Sequence, residues 1–161
     1  MKNVVLCLLI SLVGCVSQQY LTEDQASRIG KGSEVVEFNM RGDSAEVYTA
    51  IYKALVNAGF RIAHDNREML TISTEGKDIE QDTKLRMLVV MQPGPYVVRV
   101  VLRGEWLPGS QTQAMASGIA GRTLNVEWFP ARWGRQTGRP ELSFAYMVKF
   151  ARELSQDVWF K

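Results

Sequence analysis

His64 is the only histidine in the 161-residue chain, and Asp65 stands beside it, so a general base with an orienting carboxylate is the first chemistry to weigh. Neighbouring residues of a strand point to opposite faces, so the two side chains diverge. A strand-end histidine next to a turn aspartate is the reading favoured. Asp78, Glu80 and Asp82 alternate ahead of an apolar strand and could offer three carboxylates to calcium. A calcium loop of the helix–loop–helix kind asks for Gly at its sixth position and Glu at its twelfth, where this chain has Thr83 and Val89. A charged sheet edge, blunted against pairing with other chains, is the better account of the three acids. No G-x-S-x-G elbow is present for serine chemistry. A non-enzymatic protein is therefore expected.

Cysteine chemistry is confined to the start of the chain, at Cys7 and Cys15. Lys2 supplies a positive charge ahead of the apolar run 4–13 (VVLCLLISLV). Ten apolar residues are about half of what a helix needs to span a bilayer, and the length suits a secretory signal. The run ends in Leu12-Val13-Gly14-Cys15, which resembles the bacterial lipobox. There a small residue precedes a cysteine whose thiol accepts diacylglycerol before cleavage. The resemblance implies a signal peptide over 1–14, cleavage between Gly14 and Cys15, and Cys15 as the lipid-bearing first residue of the mature protein. Two or three acyl chains on one residue anchor stably where one chain would be marginal. It further implies the outer membrane, facing the periplasm, because Val16-Ser17 rather than an aspartate follows the cysteine. With Cys7 removed and Cys15 acylated, no intramolecular disulfide can form and a zinc site is not expected. The only cofactor foreseen is the covalent lipid itself.

The third candidate is an interaction patch. Residues 107–139 make a connection far longer than most, first rich in Gly, Ala, Ser and Gln, then interleaving aromatics with arginines. Trp128, Phe129, Arg132, Trp133 and Arg135 lie in its second part. Trp and Arg are the residues most enriched at binding hot spots, so any contact surface is expected here. The competing reading has the aromatics capping one end of the sheet while the arginines face water.

Net charge limits the partners. The chain carries 19 basic and 17 acidic residues, and removal of Lys2 leaves 18 against 17. Nucleic acid is not expected, since a binding domain would be basic. Another envelope protein and the membrane reached through the lipid are the partners foreseen.

The elements that must hold these residues follow from periodicity. Residues 15–33 are polar and read as the lipidated N-terminus and a flexible tether, with a helical turn around 23–28. A single domain is expected over 34–161. It opens with a strand at 34–38. Asp43, with Glu46 three residues on, forms a capping box for a helix over 44–58, whose Val47, Ile51, Ala54, Leu55 and Ala58 share a face. Gly59 closes that helix. Residues 60–62 and 70–73 form a hairpin about a turn at 65–67, and long strands at 84–91 and 96–106 flank Pro93-Gly94-Pro95. A helix over 141–155, apolar nearly all round, should lie buried across the sheet. The order predicts an α+β domain in which a curved antiparallel sheet of about five strands packs against two helices (β-α-β-β-β-β-α).

The stretch DSAEVYTAIYKALVNAGFRI followed by HDNREMLTIS resembles a unit of small envelope lipoproteins with helix-grip or TBP-like folds, among them the BamC component of the outer-membrane β-barrel assembly machine. In that unit a helix ends in Gly-Phe, and two strands follow about a charged turn. The match covers about 40 residues, occurs once, and brings no catalytic residues. It implies the fold and an envelope role as a protein-interaction module. The alternative is a binder of a small apolar or lipid-like ligand, which needs an unfilled cavity between the last helix and the sheet.

Overall fold

Asp43 begins the first long helix as expected. Its side chain accepts from the Glu46 amide at 2.8 Å, and Glu46 reaches back to the Asp43 amide, closing the capping box. The computed structural model describes residues 20–120, 126–134 and 138–161. In chain order these form α1 (Glu23–Ser27), β1 (Val35–Met40), α2 (Ser44–Asn57), β2 (Ile62–Asn66), β3 (Thr71–Thr74) and β4 (Lys77–Ile79). Then come β5 (Thr83–Pro93), β6 (Val98–Pro108), α3 (Ser110–Ala120), β7 (Phe129–Pro130), α4 (Arg139–Leu154) and β8 (Val158–Phe160).

The fold is α+β, and among the described residues it has an open antiparallel sheet of eight strands with four helices. The strands run β2-β3-β5-β6-β1-β8, with β4 beside β5 and β7 beside β6. The five expected strands all exist, shifted at their ends. The additional three, β4, β7 and β8, have only two or three residues each, too few to display a period of two. The register of the first hairpin also differs. Asp65 and Asn66, expected in the turn, belong to β2 and pair with Ile72 and Thr71.

Alternation along β5 and β6 separates the two faces of the sheet. Leu85, Met87, Val89 and Met91 of β5, with Val98, Val100 and Leu102 of β6, are buried against the helices. Residues between them, including Arg86, Leu88 and Arg103, turn to the opposite, helix-free face. Helix α4 crosses the buried face with Phe144, Met147, Val148 and Ala151 fully enclosed, as its apolar circumference predicts. The Met147 sulfur rests directly over Gly104 of β6, so closely that a Cβ there could not be accommodated.

The tether expected over 15–33 packs onto the domain over its described part. Leu21 and Ile29 join the core, α1 lies between them, and the Tyr20 ring meets Tyr146 of α4 edge-on at 5.3 Å. Four scattered apolar side chains (Tyr20, Leu21, Ala26, Ile29) show no helical or strand period, which is why the segment reads as a linker. It is held down further along by backbone bonds, from Gly32 to the Trp133 carbonyl at 2.7 Å and from Trp133 to the Ser33 carbonyl at 2.9 Å.

Candidate interaction surface

The helix-free face carries a cluster of paired charge and aromatic surface. Arg86 and Glu105 are direct cross-strand partners on β5 and β6, and the Arg86 Nε donates to Glu105 at 2.6 Å. The Trp128 indole lies over the same guanidinium, 4.4 Å from its ring centre. That ring also covers Gly76, where a Cβ would come within 2.7 Å of its edge. Gly76 therefore makes room for Trp128. Beside this cluster Arg86, Leu88, Arg103 and Glu105, with Ala63, His64 and Ser73, line a groove of about 400 Å3. Leu88 is 42% exposed, a large aliphatic residue on the open sheet.

The five residues expected to form one patch are dispersed. Trp128 joins the helix-free face. Phe129, half exposed, packs on Trp106 with ring centres 5.5 Å apart. Arg132 pairs with Glu34. Trp133 is a core residue, buried beside Phe144 at 6.2 Å. Arg135, like Gly14 and Cys15, lies outside the described residues. Trp133 thus belongs to the core, whereas Trp128 is half-buried over Arg86. The connection that carries them contains α3, whose Ala-, Ser- and Gln-rich sequence has little amphipathic period.

His64 and Asp65 diverge as strand geometry requires. His64 is exposed on the groove side, whereas Asp65 accepts from the Tyr48 hydroxyl of α2 at 2.9 Å. Burial, then the bond to Asp65 and its charge, push the Tyr48 phenol up to about 12. The pair is no dyad. The three acids before β5 part company too. Asp78 comes within 3.9 Å of Lys84, while Asp82 caps α3, accepting from the Thr112 amide at 2.6 Å and the Gln111 amide at 3.3 Å. The bonds from Thr112, more than any other cause, hold the Asp82 carboxyl below its ordinary range. No group of three metal-ligating side chains occurs among the described residues.

Two charged residues gain roles that periodicity could not reveal. The Lys77 ammonium donates to the Ala58 carbonyl at the end of α2 and to the Tyr146 hydroxyl at 2.8 Å, between the Phe60 and Tyr146 rings. Glu37 is buried in β1 and would be pushed up by that burial. Hydrogen bonds from Arg99 and Lys161 outweigh it and hold the carboxyl low.

No known family model matches the chain, and no curated protein is similar to it in sequence.

Proposed function

We propose that this chain is a lipid-anchored lipoprotein of the cell envelope, acting as a non-enzymatic docking module that presents its helix-free sheet face to another envelope protein. The N-terminal pattern supports the anchor: Lys2, a ten-residue apolar run and Leu12-Val13-Gly14-Cys15. In this reading Cys15 carries the lipid, and the mature protein sits in the outer membrane facing the periplasm. The observation that carries the docking role is the Arg86–Glu105–Trp128 cluster with exposed Leu88 beside it, on a sheet face that no helix covers among the described residues. Arg and Trp are among the residues most enriched at protein interface hot spots. Against a lipid-like ligand between α4 and the sheet stands the packing there, where Phe144, Met147 and Val148 are fully enclosed and Met147 touches Gly104.

Two measurements test the two halves. Metabolic labelling with a palmitate analogue should mark the native chain and not Cys15→Ala, and only the native chain should fractionate with membranes. A photo-crosslinking residue at position 88 should give a discrete adduct with an envelope protein, weakened in Trp128→Ala. The same probe at Val56, exposed on α2, should give none. Equal yields at 56 and 88 would refute the docking face, and labelling that survives in Cys15→Ala would refute the anchor.

A further inference from the structure

Strand register sets the side chains of the helix-free face in rows. One row crosses the sheet through His64, Ser73, Leu88, Arg103 and Val35, each the direct partner of the next. The row beside it runs through Thr71, Val90, Val101, Glu37 and Trp159. Leu88, Val90, Val101 and Val35 therefore form an aliphatic patch, with the Trp159 indole 47% exposed at its β8 end. Arg103 stands within that patch. Leu88 and Val35 flank it across the strands, and Val101 lies two residues along its own strand.

The carboxylates that the strands bring to this face are already engaged. Glu105 accepts from Arg86 at 2.6 Å, and Asp78 lies 3.9 Å from its register partner Lys84. Buried Glu37 takes Arg99 and, at 3.0 Å, Lys161. Arg103 is exposed and has no ion pair among the described residues. Whatever covers Leu88 must also cover its neighbour Arg103. An apolar cover would strand a desolvated guanidinium, which is costly, whereas a carboxylate meets it with a charge-assisted bond. A second copy of the chain would bring a like excess of positive charge. A membrane would set a layer of phosphates against the fixed carboxylates of Glu105 and Asp78. A bare sheet face is ordinarily covered by a helix, as α4 covers the other side, and helical spacing joins an apolar stripe to flanking acids.

We infer that the partner meets this face with an acidic amphipathic helix, its aliphatic stripe on Leu88, Val90 and Val101 and a carboxylate on Arg103. This rests on the docking role proposed above and adds the chemistry of what docks.

The probe is a fluorescent Ala-based helix of about 18 residues, long enough to be helical alone, with a Leu stripe flanked by Glu. Analogues carry Gln or Lys at the flanking positions. Binding is read by anisotropy with the full chain in neutral lipid nanodiscs, empty discs serving as the blank. The Glu helix should bind about tenfold or more tighter than the Lys helix, and several-fold less tightly once salt rises from about 0.05 to 0.5 M. Arg103→Glu, at an exposed site that spares the fold, should reverse the order and favour the Lys helix. Leu88→Ser should weaken the Glu helix. Gln and Glu helices that bind alike, with the order unchanged in Arg103→Glu, overturn the acidic partner; if Leu88→Ser still weakens both, the docking face survives. Binding of the Glu helix that ignores both Leu88→Ser and Arg103→Glu removes the face itself. Displacement of the Glu helix by glycerophosphoglycerol, a soluble anionic lipid headgroup, would give the face to lipid instead. Self-association of the chain that Leu88→Ser abolishes would give it to a second copy, and either result overturns the assignment.

Discussion

Gly104 shows what one missing side chain does here. It sits in the middle of β6, where glycine ordinarily weakens a strand, and its bare backbone receives the Met147 sulfur of α4. Gly104→Ala should therefore lower stability by roughly 1–3 kcal/mol through overpacking, measured by denaturant unfolding. In a Met147→Ala background the penalty of Gly104→Ala should shrink, which a double-mutant cycle reads. Asp82 makes a prediction about acid. Its carboxyl binds a proton less readily folded than unfolded, so its capping of α3 is fully present above the ordinary aspartate value of about 3.9. It is lost as pH falls through the lowered folded value. Thermal unfolding of the native chain and Asp82→Ala should differ above pH 4 and converge on acidification. Side chains with local partners, such as Asp43 with Glu46, were legible from spacing alone. Asp82 was not, because its partners stand about 30 residues away, at Gln111 and Thr112. A still longer separation in sequence hid the Trp128–Arg86 stack.

Helices and long strands follow the periodicity that announces them. Helix α2, the pair β5 and β6, and the buried α4 lie close to their expected positions, since each has enough residues to express a period. The elements that the sequence conceals are short, and other elements create them. β7 exists because β6 offers it an edge, whereas α1, expected as a helical turn around 23–28, carries its own Thr22–Gln25 capping box. Helix α2 ends without a basic residue in its last turn, and Lys77 supplies that charge from β4. Replacing it by methionine keeps the packing and removes the donor and the cation between two rings. Lys77→Met should cost about 1–2 kcal/mol, with faster amide exchange at the end of α2. No change in that exchange would show that the ammonium is dispensable there.

The whole molecule is two-sided. One face of its sheet is sealed by α4 and by the N-terminal segment, and the other carries exposed Leu88 and Arg103, with Trp128 half-buried over Arg86. α2 and α4 pack on the sealed face, so exposed charge on the other does not disturb the core. Leu88→Ser should leave stability within about 0.5 kcal/mol, because a surface site away from the core tolerates change. It should nevertheless abolish any adduct that depends on this face.

Val36 is opposite Phe160 in the completed sheet, whereas β5 and β6 pair across only four residues. Closure of the two ends must await nearly the whole chain, and the entropy of so large a loop makes it slow. The central hairpin can form early and alone supplies the edge on which β1 later docks. A chain that crosses a membrane from its N-terminus would therefore emerge with β1 unpaired until its last strand arrived. Pulse-labelling hydrogen exchange during refolding should find the amides of β5 and β6 protected before those of β1 and β8.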